Sequence, residues 1–426
     1  MKILAASLAT VALLAAAACS SGDTESASEP SSTPADQAVP DYVADVESTV
    51  EQLMRDNAIP GAVVQVSSPE LGDWTGTFGV GDLDTGEPIS ADDHFRVGSN
   101  TKTMTVTAVL QLAQEGLLSL DDPISTYIEG VPNGDEITIA QLAEMRSGLP
   151  SYSFDPGLNA TLDDDPGKAW TQEELLEIAF SYPVNFAPGE KFEYSNTNTV
   201  LLGLVVEELT GKPIAEVFEE RIFTPLGLED TSFPAIDDAS IPDPHPRGYM
   251  FGTNVSTLET SVLPEEEQAE AVAGTLKPND HTDDNPSWGW TAGAAISTAD
   301  DLTTYVQALV DGGLLDERMQ QTRLDSIQPV GAATAGYGLG MAQFGPLLGH
   351  DGQLPGFMTF MGHDPETDLT IVVLTNLSAV PSGEGSALTL VKGILPIFYG
   401  SQYQPPGDPA RAPGTEASTP APTPGG

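Results

Sequence analysis

Ser99 and Lys102 stand three residues apart in the stretch FRVGSNTKTMTVTAVLQLAQEG, Phe95 to Gly116. A serine hydroxyl is a poor nucleophile until something takes its proton. On a helix, residues i and i+3 lie on one face. The lysine can then touch the serine oxygen as a base when neutral, or lower the pKa of a neighbouring phenol when charged. A serine in the first helical turn also sits at the positive end of the macrodipole, where negative charge on an attacked carbonyl is favoured. Cations are scarce in this chain, with 15 Lys+Arg against 63 Asp+Glu in 426 residues. One of them placed a helical turn from a serine suits acyl transfer through a serine ester.

Two further short motifs occur in order along the chain, Tyr194-Ser195-Asn196 and His350-Asp351-Gly352. Each is weak alone, and the elements around them give them weight. The first motif opens a helix on which Val106, Val109, Leu110 and Leu112 form an apolar stripe and which Gly116 stops. The second lies at the loop-to-helix junction PGEKFEYSNTNTVLLG, and the third follows a strand-like run and precedes QLPGF.

In that order and setting the chain resembles the serine β-lactamase-like hydrolases: class C β-lactamases, D-alanyl-D-alanine carboxypeptidases of the actinobacterial type, and related esterases. The likeness extends to FGVGDLDTGEPISADDHFRVGS, LAEMRSGLP, TAGAAISTADDLTTY and YGLGM. It implies that Tyr194 shuttles the serine proton to the leaving group and that Asn196 hydrogen-bonds the lysine and a substrate amide. It assigns the oxyanion hole to the backbone N–H groups of Ser99 and Gln353, with Gly352 leaving room for close backbone approach. Whether Lys102 or Tyr194 is the general base stays open. Trp288 and Trp290, ahead of TAGAAIST, wall the site or pack the core. No cofactor is implied.

The third motif departs from the class C pattern, which has Lys-Thr-Gly where this chain has His-Asp-Gly. His350 resembles the first position of the carboxypeptidases and some esterases, where it would orient the tyrosine or a substrate carboxylate. It would be charged only below about pH 6.5 unless perturbed. Asp351 is read as part of an Asp-Gly turn and not as catalytic, since on a strand it would point away from His350. The motif thus lacks its fixed cation for a substrate carboxylate. Arg146 reads as a cation and cap at a helix C-terminus, and Tyr152 as a weaker cleft candidate. The histidines (His94, His245, His281, His350, His363) show no metal spacing, and HExxH and CxxC are absent, so no metal is expected. Without a Gly-x-Ser-x-Gly elbow, an α/β-hydrolase is not indicated.

The elements that must position these residues fall into a pattern. An amphipathic helix (DYVADVESTVEQLMRDN) and two strands (GAVVQVSS, DWTGTFGVGD) open the folded region. Short strands separated by Gly, Asp-Gly and Asp-Pro turns, then the helix GSALTLVKGILPIFYG, close it. Helical patterns dominate the middle, about residues 118–290. The expected fold is α+β: an antiparallel sheet built from both ends of the chain, flanked by helices, with a mainly helical region inserted. The folded domain is expected over residues 39–403.

Residues 1–18 read as an export signal, too short for a comfortable transmembrane helix. Cys19, the chain's only cysteine, stands where a lipoprotein signal places it. The run resembles a lipobox with Ala16 in place of the usual Leu. Diacylated Cys19 would anchor the protein to the outer face of the membrane; ordinary signal cleavage would release it. Residues 19–38 and 404–426 read as a disordered tether and tail.

A formal charge of −48 excludes nucleic acid, whose phosphates need cationic contacts. The resulting expectation is an exported serine hydrolase acting on a peptide or ester substrate, a peptidoglycan stem peptide among the candidates. A D-alanyl-D-alanine carboxypeptidase-like peptidase ranks first, an esterase of small acyl esters second and a β-lactamase third. A non-catalytic penicillin-binding or wall-associated protein on the same fold is the rival from another class. The oligomeric state is not legible.

Overall fold

The computed structural model describes residues 39–400 and Tyr403. The expected signal peptide, Cys19, the tether and the 404–426 tail lie outside the described residues.

The strands are β1 (Gly61–Ser67), β2 (Trp74–Gly79), β3 (Phe95–Arg96), β4 (Tyr249–Met250), β5 (Asn279–Asp280), β6 (Ile296–Ser297), β7 (Gln328–Val330), β8 (Ala332–Tyr337), β9 (Ala342–Phe344), β10 (Leu347–Leu354), β11 (Phe357–Asp364) and β12 (Leu369–Thr375). Among the described residues eight of them form one sheet in the order β2-β1-β12-β11-β10-β9-β8-β7. Its neighbours pair antiparallel, and β1 meets β12 from Ala62↔Thr375 to Ser67↔Thr370. The two ends of the chain therefore complete one sheet, as the strand-helix-strand pattern predicts. The run LTIVVLT is buried at every residue. That burial suits a central strand covered on both faces and rich in β-branched side chains.

Helices Val43–Asp56 and Ser386–Tyr399 cover one face, and Val46, Val50, Leu390 and Ile394 join Val64, Ile371 and Val373 in one core. On the other face Val63, Met361, Val372 and Leu374 pack with residues of helices Thr101–Gln114, Asn196–Thr210 and Ala299–Asp311. The middle region is helical as expected, but it also holds the β4–β5 pair. Two-residue strands inside Pro/Asp-rich loops carry no periodic signal.

Two local expectations are corrected. The helix Thr101–Gln114 is not striped: it is buried on every side from Thr101 to Leu112. Its polar face is made of threonines that return their hydroxyls to backbone or buried partners. Thr101 Oγ1 donates to the Gly98 carbonyl at 2.8 Å and Thr107 Oγ1 to that of Thr103 at 2.7 Å. Thr105 Oγ1 donates to the Thr291 carbonyl at 2.8 Å. A hydroxyl paired in this way can be buried at little cost, so the helix needs no solvent-facing side.

Asp351-Gly352 is not a turn. Both residues lie inside β10, opposite Phe360 and Thr359. The chain reverses after Leu354, where Gly356 takes φ +94°, a conformation open to glycine. On its other edge β10 pairs with β9 only at Leu347–Gly349. The edge beyond, from His350 to Leu354, is left to meet the turn that carries Ser99.

Candidate active site

Ser99 sits in the single turn Gly98–Asn100 that leads into helix Thr101–Gln114. β3 feeds this turn and pairs with β6 at Phe95↔Ser297 and Arg96↔Ile296. Arg96 is 2% exposed and donates to the carbonyls of Asp284, Ala239 and Thr282. The long loops between residues 236 and 288 are thereby stapled to the strand ahead of the serine. Asn100 does not cap the helix with its side chain. Its Nδ2 donates to Thr359 Oγ1 at 2.8 Å, and Thr359 Oγ1 donates to the Val97 carbonyl at 2.9 Å. β11 is thus pinned to the turn.

Two glycines let the backbones of β10 and the turn close on each other. A Cβ on Gly352 would lie 1.9 Å from the Val97 carbonyl oxygen and 2.8 Å from the Ser99 nitrogen. A Cβ on Gly98, whose φ is +54°, would lie 2.6 Å from the Gln353 nitrogen. The amides of Ser99 and Gln353 are thus brought to one place, where two N–H groups can serve one oxyanion.

Lys102 is fully buried, and its Nζ donates to Ser99 Oγ at 2.9 Å and to the Ala292 carbonyl at 2.7 Å. Burial pulls its pKa from 10.5 down to about 7, against the opposing pull of Asp351. The Ala292 carbonyl comes from the turn Trp290–Ala292, in which Trp290 has φ +33°. The ring of Trp290 is buried in the core (4% exposed), so this segment reaches the lysine through its backbone. Trp288 is half-buried against the same core, and its carbonyl accepts from the hydroxyl of the fully buried Tyr152 at 2.7 Å. Tyr152 is therefore a core residue and not a wall of the cleft.

Tyr194 lies just before helix Asn196–Thr210, and Lys102 Nζ stands 4.8 Å from the centre of its ring. Tyr194 also packs edge-on against Tyr337, with ring centres 6.1 Å apart. The expected bond from Asn196 to the lysine is replaced by others. Asn196 Nδ2 donates to Ser153 Oγ at 3.1 Å, and Lys102 takes the Ala292 carbonyl. The side-chain oxygen of Asn196 is buried and has no hydrogen-bond partner among the described residues.

His350 is 1% exposed. Its Nδ1 lies 2.6 Å from the Asp351 carbonyl oxygen, which can only accept, so Nδ1 carries the proton. Nε2 then accepts from the Tyr337 hydroxyl at 3.2 Å. Burial, helped by Lys102, pulls the imidazole down to about 3, so it is neutral at physiological pH. Asp351 is buried beside it, and its carboxylate acts electrostatically on both Lys102 and Tyr337.

The geometry thus gathers Ser99, Lys102, Tyr194, His350, Gly352 and Gln353, and leaves Asn196 bonded to Ser153. It adds Tyr337, Thr359, the Ala292 carbonyl and Asp351. Tyr337 and Ala292 lie in YGLGM and TAGAAIST, so the stretches were legible although these residues' roles were not. Thr359 had no sequence signal. Arg146 is half-buried after helix Ile139–Ala143, and its N–H closes the helix on the Gln141 carbonyl. Elsewhere, His363 Nε2 lies 3.3 Å from Asp311 and 3.9 Å from Asp368, a grouping that the linear spacing did not announce.

Comparison with known proteins finds that the Beta-lactamase family model matches residues 46–392. The chain is 28% identical over 321 residues to Esterase EstB of Burkholderia gladioli, covering 72% of this chain and 80% of that one. It is 24% identical over 343 residues to Penicillin-binding protein 4* of Bacillus subtilis (strain 168), covering 78% and 71%. A crystal structure of a D-stereospecific amidohydrolase from Streptomyces sp. superposes with a TM-score of 0.68 at 28% identity, covering 82% of this chain and 98% of that one.

Proposed function

From the premise that the chain belongs to the Beta-lactamase family, we propose that it is a serine hydrolase that cleaves amides and esters through an acyl-enzyme on Ser99. The observation that carries this reading is the 2.9 Å bond between Lys102 Nζ and Ser99 Oγ, made beside the converging amides of Ser99 and Gln353. Lys102 in its neutral form accepts the serine proton as Oγ attacks the carbonyl carbon. The two amides hold the resulting oxyanion. Collapse expels the amine or alcohol, which takes up a proton passed on from Lys102 by way of the Tyr194 hydroxyl. Water then attacks the ester, its proton going back to the same groups, and frees the acid and Ser99.

On substrate class, the amidohydrolase and esterase likenesses support amide and ester bonds. The penicillin-binding relative supports the D-alanyl-D-alanine carboxypeptidase-like reading that ranks first on sequence. That reaction requires a grip on a terminal carboxylate. Here His350 is neutral and its neighbour is an acid, so an amide or ester whose leaving group carries no carboxylate fits the site better. Export and lipidation at Cys19 belong to the same proposal, and Cys19→Ala should release the protein from the membrane fraction.

The test is intact mass and turnover with a penicillin, a D-alanyl-D-alanine peptide and a panel of small esters and amides, for the wild type and Ser99→Ala. Turnover or a covalent adduct absent from the variant is expected. Hydrolysis retained by Ser99→Ala would end this reading, and inertness toward every substrate would favour the non-catalytic rival.

A further inference from the structure

We infer that His363, Asp311 and Asp368 form a site for a divalent transition-metal ion of the zinc class. The bound ion clamps helix Ala299–Asp311 to the β11–β12 hairpin. His363 lies four residues beyond Thr359 on β11, roughly 13 Å along the strand from the residue that pins the serine turn. The site is therefore separate from Ser99, and the inference does not depend on the hydrolase reading.

The three donors come from three elements. His363 is near the end of β11, Asp368 is in the turn before β12, and Asp311 is the last residue of its helix. Their ligand atoms lie within 4.8 Å of one another. His363 is 1% exposed, and its buried Nε2 makes no hydrogen bond among the described residues. That nitrogen faces the two acids, 3.3 Å from an Asp311 carboxylate oxygen and 3.9 Å from one of Asp368. The Asp311 oxygen is near enough for a hydrogen bond but stands off the ring N–H direction. Two ligands of a tetrahedral zinc, each about 2.0–2.1 Å from the ion, stand about 3.3–3.4 Å apart. The second ligand then lies beside the imidazole axis and not on it. The Asp311 oxygen has that spacing, and Asp368 reaches it by closing about 0.5 Å. An ion there also satisfies a buried nitrogen that is otherwise costly.

The surroundings suit a metal histidine. Nδ1 of His363 lies 2.9 Å from Thr370 Oγ1, which accepts from Gln307 Nε2 at 3.0 Å. Gln307 stands one turn before Asp311 on the same helix face, so one helix supplies a ligand and steadies the far side of the ring. Asp311 and Asp368 are 54% and 60% exposed, which gives an ion its entry path and leaves room for water ligands. Asp364 is not a further ligand, since its carboxylate accepts from the hydroxyls of Tyr399 and Thr367. Asp311 also places a negative charge at the negative end of its helix, with a second acid close by; a dication offsets both. The imidazole nitrogen favours transition ions over calcium and magnesium, which take oxygen ligands. Protonation of His363 is the competing way to balance the two acids, and it predicts no response to metal.

The experiment uses the full chain carrying Cys19→Ala, so that no thiol competes, stripped with EDTA and desalted. Isothermal titration and thermal melts are run with zinc, calcium and magnesium chlorides. The same measurements are made on His363→Gln, Asp311→Asn and Asp368→Asn. His245→Gln is the control, because His245 also lies near an acid, its Nε2 3.7 Å from Asp243. One zinc per chain is expected, raising Tm by roughly 3–4 °C at about a hundredfold excess over Kd. His363→Gln and Asp311→Asn should each weaken zinc binding at least about tenfold, and Asp368→Asn by a smaller factor. His245→Gln should bind as the parent does. Asp311 is exposed and Asn nearly isosteric, so Asp311→Asn decides should His363→Gln fail to fold.

No zinc-dependent heat or Tm shift would overturn the inference in favour of the protonated ion pair. A shift that survives in His363→Gln and Asp311→Asn, or that is lost in His245→Gln, would overturn it by placing the ion elsewhere. Equal stabilisation by calcium or magnesium would also overturn it, as general screening of an acidic surface. None of these readouts needs a substrate, so they leave the Ser99 reading to its own test.

Discussion

The lowered pKa of Lys102 sets the pH dependence of the reaction, and the sign of that dependence tells which group is the base. With its ordinary pKa of 10.5, a lysine would be neutral to the extent of about three parts in ten thousand at pH 7. At about 7 it is half neutral, a gain of roughly a thousandfold in competent base. If neutral Lys102 takes the Ser99 proton, kcat/KM must rise with pH along the neutral fraction. That fraction is roughly one eleventh at pH 6 and ten elevenths at pH 8, a climb of about tenfold with its midpoint near 7. The assay is kcat/KM from pH 5.5 to 9.5 on a substrate with no titrating group, such as an N-acetylated p-nitroanilide, because kcat/KM reports the free enzyme. Asp351 opposes the effect of burial on Lys102, so Asp351→Asn should move the midpoint to more acid pH. A rate that falls as pH rises through 7 would refute the reasoning, since protonated Lys102 would then be the active form and Tyr194 the base. A shift of the midpoint to alkaline pH in Asp351→Asn would refute the electrostatic part.

Gly352→Ala should lower kcat by about 10²–10³ and destabilise the fold by about 1–3 kcal/mol, read by steady-state kinetics and thermal melts. Its Cβ would meet the Val97 carbonyl at 1.9 Å, and backbone cannot rotate away, so β10 and the serine turn must part. Lys102→Met should abolish activity yet raise stability, and raise it most at acid pH. Between about 7 and 10.5 the unfolded wild type holds a proton that the folded one lacks, so wild-type stability increases with pH over that window and is lowest below it. The variant loses this dependence, and its advantage should be on the order of 2–4 kcal/mol at pH 6, shrinking by pH 9.5 in paired melts. A Lys102→Met protein no more stable than wild type at pH 6 would mean that the ammonium is not buried at a cost.

Much of the fold was legible because its signals are local. The β-branched, largely apolar run LTIVVLT, the glycines at 116 and 356, and the spacing of Ser99 and Lys102 act within a few residues of the chain. The resemblance added the order of the three motifs. What went astray did so where partners are distant in sequence. The helix Thr101–Gln114 reads as striped in sequence because threonine counts as polar, whereas Thr105 meets Thr291 and Thr103 meets Tyr305. Asp351-Gly352 reads as a turn because Asp-Gly usually is one, while the register with β11 keeps both residues in a strand.

The sequence by itself determined which groups are available: a serine with a lysine on its own helical face, a phenol ahead of a second helix, a histidine and an acid on one strand, and few other cations. Those identities follow from covalent order and helical period. Only the tertiary structure decided their charge states. Lys102 is pulled toward neutrality because the core closes over it, His350 is neutral for the same reason and because Lys102 lies near, and Asp351 matters because β10 carries it into that dry space. Burial and through-space charge depend on which distant segments fold against each other, and no stretch of neighbouring residues encodes that.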